Sequence, residues 1–209
     1  MEKLIIGSRG SKLALKYAEI AKKAFLKELD VEIEIKKIIT DGDLVLDRRT
    51  SEIGGKGEFI KNIEKELISK NIDVAVHSLK DVPSVKTKGL RMECFLKRND
   101  PQEVLINKEN LTLDKIKKNS VIGTSSLRRE FQLKHLRPDL NFKLIRGNID
   151  TRIKKLDEDQ YDSIILAKAG LLSLSIENRI SEVFECEKIV PPAGQGTIVI
   201  QSREDDDKL

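Results

Sequence analysis

Short β-branched apolar runs that break into small polar residues and then into a helical pattern recur along this chain. No other feature constrains its fold as tightly. Leu4–Ile6 runs into Gly7-Ser8-Arg9-Gly10-Ser11 and a helical pattern from Leu13, with Ser11 placed to cap it. Val121-Ile122 runs into Gly123-Thr124-Ser125-Ser126 and a helix carrying Arg128 and Arg129. Phe142–Ile145 leads into Arg146-Gly147-Asn148 and a helix holding Arg152, and Tyr161–Ala167 leads into a helix from Gly170. Strands alternating with helices specify parallel α/β sheets. In such sheets ligands bind beyond the carboxyl ends of the strands, where these turns fall. A turn that opens a helix presents backbone N–H groups and the positive helix end, which suits anions.

The remaining segments fit this scheme. Val31, Ile33 and Ile35 alternate with charged residues, which predicts a strand with one polar face, ending in the turn Thr40-Asp41-Gly42-Asp43. Residues 44–58 lack a period and contain Gly54-Gly55-Lys56-Gly57, the pattern of a mobile loop. A helix is expected from Phe59, with Ile60, Ile63 and Leu67 on one side. Leu90–Leu96 reads as a strand with Cys94 as a small core residue, and Thr197–Gln201 as another strand. Two polar or proline-containing breaks, Lys97–Pro101 and Ile189–Pro192, mark places where the chain passes between domains. The expected fold is therefore α/β, with two hinged, doubly wound lobes of the type II periplasmic binding protein kind. One lobe is formed by residues 1–98 with 190–209, the other by 99–189. Such lobes would close on a ligand, setting Arg9 and Ser11 opposite Arg128 and Arg146, with Asp81 at the floor.

Between the helix from Phe59 and the strand from Leu90 lies Val74-Ala75-Val76-His77-Ser78-Leu79-Lys80-Asp81-Val82-Pro83. It begins as a buried strand and ends in a hydroxyl, an ammonium and a carboxylate. Pro83 restricts Val82 to extended backbone, so Asp81 stands on a stiff loop. By itself this pattern also suits an aspartate that merely closes a turn. Adjacent helix positions point about 100° apart, so Arg128 and Arg129 can reach one ligand only near a helix end, which is where they lie. Arginines gathered at strand-to-helix turns suit a ligand with several carboxylates or phosphates.

Charge and cysteine usage narrow the function. The 39 basic residues are nearly balanced by 35 acidic ones, and aromatics make up 4%, which argues against a nucleic-acid surface. Cys94 and Cys186 form no CxxC pair and suit a reducing cytoplasm. His77 and His135 have no metal-ligand companions, so no metal site is expected. No signal peptide or membrane span is expected.

Taken together, His77–Pro83, Gly123–Arg129, Arg146-Gly147-Asn148 with Thr151-Arg152, and Gly194-Gln195-Gly196 resemble the porphobilinogen deaminase (hydroxymethylbilane synthase) family, in its order and spacing. The resemblance implies a cytoplasmic, monomeric transferase of heme biosynthesis. Its reaction joins porphobilinogen units head to tail, with loss of ammonia, on a dipyrromethane cofactor held through a cysteine thioether. It implies that Asp81 is the catalytic carboxylate, with Lys80 as its partner. Arg9, Arg128, Arg129, Arg146 and Arg152 match basic residues that hold pyrrole carboxylates, serving a cleft rather than a core. Ser11, Ser78, Thr124, Ser125, Ser126 and Gln195 match further donors, and Lys56 and Phe59 match a lid.

Three departures from the family pattern accompany the match. Glu52 stands where many relatives carry lysine, and Lys168 replaces a small or apolar residue, adding a possible anion contact. A third domain with its cofactor-bearing cysteine is not matched, and neither Cys94 nor Cys186 takes that cysteine's place. The chain alone is accordingly expected to carry no covalent cofactor. A two-lobed module that binds polycarboxylates without turnover is the competing expectation.

Overall fold

The structure is a computed structural model describing residues 3–40, 57 and 60–206. Glu52, Lys56 and Phe59 lie outside the described residues, as does the expected loop at 44–58 apart from Gly57. The described residues divide into two compact units: those up to Asn99 together with those from Gly196, and Asp100–Gln195. The second crossing thus follows the Pro191-Pro192 pair. Among the described residues no helix is long and apolar enough to cross a membrane.

The first unit contains β1 (Lys3–Arg9), α1 (Lys12–Glu28), β2 (Glu32–Ile38), α2 (Lys61–Ile68), β3 (Val74–Ser78), β4 (Leu90–Phe95) and the chain's last strand, β10 (Ile198–Arg203). Its sheet has the order β2-β1-β3-β10-β4. β1 runs parallel to both β2 and β3, while β10 runs antiparallel to β3 and β4. One face packs Leu4, Ile6, Val74, Val76 and Ile200 on Tyr17, Ala18 and Ala21 of α1. The other packs Ala75 and Leu90 on Ile63 and Leu67 of α2. Because both faces are covered, β3 is buried continuously from Val74 to His77 rather than on alternate residues.

The second unit repeats this plan with β5 (Glu103–Ile106), β6 (Val121–Gly123), α3 (Leu127–Leu136), β7 (Asn141–Lys143), α4 (Ile149–Asp157), β8 (Ser163–Ala167), α5 (Lys168–Leu174) and β9 (Glu182–Phe184). The order β7-β6-β8-β5-β9 carries the same parallel and antiparallel pairings. Val104, Ile164 and Leu166 pack on Ile153 and Leu156 of α4, while Ile122 and Ile165 pack on Leu133 of α3.

The two units share local devices as well as topology. Asp73, just before β3, accepts from Ile5 N at 2.8 Å and donates its own N–H to Ile5 O at 2.9 Å. Asp162, just before β8, does the same to Val121, at 2.6 and 3.0 Å. The residue before each aspartate lies over the glycine that opens the turn. A Cβ on Gly7 would come within 2.3 Å of Ile72 Cδ1, and one on Gly123 within 2.9 Å of Tyr161 Cδ1. Tyr161 thus precedes its strand rather than starting it, and its hydroxyl donates to Leu144 O at 2.7 Å.

Cys94 departs from expectation, being exposed rather than in the core. β4 is an edge strand: Leu90 is covered by α2, but Glu93, Cys94 and Phe95 are exposed.

Candidate active site

From β1 in the first unit, and from β6 in the second, the chain goes to a neighbouring strand on one side and then to the other side. The crevice where this reversal occurs lies between the carboxyl ends of β1 and β3, and of β6 and β8.

In the first unit this crevice is a pocket of about 60 Å³, room for roughly four waters or one small ring. Arg9 lines it from the end of β1, Ser11 from the turn that follows, Tyr17 from α1, Ser78 from the end of β3 and Asp81 from the turn after it. Ser11 caps α1, its hydroxyl accepting from Ala14 N at 3.3 Å, and fully buried Ser8 donates to Ala14 O at 3.1 Å. Asp81 and Lys80 belong to one 3-10 turn, Leu79–Asp81. Leu79 N donates to Thr197 O at 3.0 Å, Val82 N to Leu79 O at 3.1 Å, and Val82 packs on Ile60 and Val199. The loop that carries Asp81 is therefore anchored on both sides of the carboxylate.

Below the end of β3 runs a buried polar chain. The Gln201 amide nitrogen donates to Glu64 Oε1 at 2.8 Å, so its oxygen faces His77 and accepts from Nε2–H at 3.0 Å. Glu64 also accepts from the Thr87 hydroxyl at 2.8 Å. Burial is the main influence on His77 and lowers its pKa, outweighing the opposing pull of Gln201, Glu64 and Asp81. Burial thus favours the neutral imidazole of His77, which also lines the pocket. Among the described residues no cluster of metal-ligating side chains occurs.

In the second unit Thr124 is buried and its hydroxyl accepts from Ser126 N at 3.2 Å, leaving half-buried Ser125 at the bend. Ser126 caps α3, accepting from Arg129 N at 3.4 Å. Gly147 takes a φ of +110°, and its carbonyl accepts from Arg152 Nε at 2.8 Å. Arg146 is buried, and its carbonyl accepts from Lys155 Nζ at 3.3 Å. Gln195, also buried, donates to Pro101 O at 2.6 Å. Lys168 is committed to protein partners, Asp100 Oδ2 at 2.6 Å and Gln102 Oε1 at 3.1 Å.

Arg128 and Arg129, expected to serve a cleft, share a protein partner at the start of α3. Both pair with Glu103, the first residue of β5, which is fully buried. Arg129 Nη2 meets Glu103 Oε2 at 2.6 Å and Nη1 donates to Ile165 O at 3.1 Å, whereas its buried Nε–H has no acceptor among the described residues. Arg128 bridges Glu103 Oε1 and Val190 O. Burial alone would raise the Glu103 pKa, but the guanidiniums of Arg129 and Arg128 together hold it below the ordinary 4.5. This explains why α3 buries an arginine. Glu103 was missed in the sequence, where its one signal is its place at the head of the apolar run Val104-Leu105-Ile106.

Residues 4–209 match the family model described as Porphobilinogen deaminase, dipyromethane cofactor binding domain. The chain belongs to the porphobilinogen deaminase family. It is 48% identical over 214 residues to a porphobilinogen deaminase of Oceanobacillus iheyensis, covering all of this chain and 68% of that protein. One from Bacillus thuringiensis is 47% identical over 215 residues, with the same coverage. In the wider fold, a putative methionine-binding lipoprotein of Bacillus subtilis aligns with a TM-score of 0.56 at 13% identity, covering 99% of this chain and 87% of its own. The sulfate-bound regulatory domain of an OxyR2 mutant from Vibrio vulnificus aligns at 0.54 and 12% identity, covering 99% and 89%. These likenesses show the type II periplasmic binding protein fold in a porphobilinogen deaminase chain.

Proposed function

We propose that this chain supplies the substrate-binding and catalytic residues of hydroxymethylbilane synthase chemistry, in which porphobilinogen is deaminated and the units are joined head to tail. The observation that carries this reading is Asp81, held on an anchored turn at the carboxyl end of β3, in one pocket with Arg9 and Ser11. Loss of ammonia leaves a cationic pyrrole, and condensation puts positive charge on a pyrrole nitrogen. A fixed carboxylate stabilises both cations and accepts the proton that must leave. A protein that only bound anions would gain nothing from a carboxylate there.

Lys80, beside it in the same turn, is assigned as its partner in the catalytic turn. Ser78, Ser11 and Arg9 supply donors to acetate and propionate groups. Arg146, Arg152 and the turn Thr124–Ser126 have the donor chemistry that pyrrole carboxylates require, and Arg128 and Gln195 are assigned with them. This donor set fits a dipyrromethane, which when bound supplies the primer on which the chain grows. Lys56 and Phe59 are assigned to the lid. The reading takes the chain as a cytoplasmic monomer acting on a small molecule.

Asp81→Asn keeps the shape and removes the charge, so turnover of porphobilinogen should fall at least about a hundredfold. Binding should weaken far less, since arginines hold the carboxylates. Near-normal turnover in Asp81→Asn would reduce Asp81 to a turn residue and end the proposal.

A further inference from the structure

We propose that Glu103 is a positioning residue for anion binding: it fixes Arg129 and, through its second oxygen, sets the direction in which Arg128 is presented. This rests on the reading above, in which Arg128 meets pyrrole carboxylates.

Two guanidiniums share one buried carboxylate, which leaves the cluster one positive charge in excess at the start of α3. That excess is unevenly placed. The Arg129 side chain is 9% exposed and its contacts point inward, to Glu103 and the Ile165 carbonyl. Arg128 keeps 28% of its side chain exposed while Glu103 and the Val190 carbonyl hold two of its nitrogens. A guanidinium has five N–H donors in a rigid fork, so two fixed nitrogens orient the whole plane. Arg129 is thereby a strut, and Arg128 a donor whose angle is set in advance, which lowers the ordering cost of binding.

The first unit shows that the fold does not itself require a carboxylate at this place. Glu103 pairs with Ala167, the last residue of β8. At the same register Ile198 pairs with Ser78, the last residue of β3. An apolar side chain therefore completes the same sheet where no arginine pair follows the turn. The charge at Glu103 serves the arginines.

The test compares Glu103→Asp, Glu103→Gln and Arg128→Leu in turnover-competent enzyme, reading KM for porphobilinogen, kcat and the thermal midpoint. Glu103→Asp keeps the charge but withdraws it by one methylene. It should fold with a midpoint near wild type, raise KM at least about fivefold and move kcat much less. Glu103→Gln makes the cluster one charge more positive, so on charge alone it would bind substrate more tightly, whereas lost positioning raises KM. A folded Glu103→Gln with lower KM overturns the proposal, as does a folded Glu103→Asp with wild-type KM while Arg128→Leu raises it. If Arg128→Leu also leaves KM unmoved, the assignment of the arginine itself fails. Loss of folding in both Glu103 variants would make the role structural alone, and would also overturn it.

Discussion

Arg129→Met removes a buried charge with little change in side-chain length, and its cost follows from what it leaves behind. Glu103 stays fully buried with only Arg128 as counter-charge, and the Ile165 carbonyl loses a donor at 3.1 Å. Removing one partner of a buried ion pair costs about 3–5 kcal/mol. The surviving Arg128 contact favours the lower end, and the lost hydrogen bond adds about 1 kcal/mol, partly offset by methionine burial. The net expectation is about 3–4 kcal/mol, a fall in thermal midpoint of about 6–16 °C for a chain of this size. Arg128→Leu should cost only about 1–2 kcal/mol, because Arg129 still neutralises Glu103 and Arg128 is partly solvated already. Urea unfolding followed by far-UV circular dichroism measures both. The pH dependence has a definite sign. With its pKa held below 4.5, Glu103 contributes fully above that value and loses its contribution as pH falls through the depressed one. Wild type and Arg129→Met should therefore converge in acid. If Arg129→Met unfolds within about 1 kcal/mol of wild type, or no earlier than Arg128→Leu, the buried triad does not stabilise this unit.

Three further outcomes are expected. His77 is buried with its pKa below the ordinary 6.5, so its contribution is complete above that pH and declines as pH falls toward the lowered value. The thermal midpoint should be level from about pH 8 to about pH 6.5 and drop below, a drop that His77→Asn should shrink; an equal slope in both proteins would contradict this. Arg146→Leu should weaken binding of a soluble dipyrromethane by about 1.5–3 kcal/mol in calorimetric titration, and unchanged affinity would remove Arg146 from the site. Gly123→Ala places a Cβ within 2.9 Å of Tyr161 Cδ1 and 3.0 Å of Ile164 Cγ2, so chemical denaturation should show a loss of about 1–3 kcal/mol; a neutral result would mean the Tyr161 ring yields.

The strand-turn-helix units were legible because their signals are local: a β-branched run, a glycine, a capping serine. Ser11 was placed by that rule and caps its helix, and Ser126 does the same at the matching turn. What escaped were properties of whole sheets. Cys94 reads as core from its neighbours Met92 and Phe95, but only strand order shows that β4 is an edge. Glu103 follows a proline break and looks like a surface charge until pairing with Ala167 buries it. Asp73 and Asp162 could have been found. Ile72-Asp73-Val74 and Tyr161-Asp162-Ser163 stand at matching places in the repeat, and a shared aspartate before a strand marks a common backbone contact.

The placement of β10 has a consequence for synthesis. β10 lies between β3 and β4, so the first sheet lacks an inner strand until residue 203 has left the ribosome. The second sheet needs nothing beyond Phe184 and can close earlier. At about 5–20 residues per second, the stretch from Asn99 to Arg203 takes roughly 5–20 s to make. For that time β3 has an unpaired flank, open to pairing with another nascent chain. The usual order, with the N-terminal unit maturing first, is thus inverted. Slowing translation between Asp100 and Gly196 should increase aggregation of the nascent chain more than the same delay placed before β3.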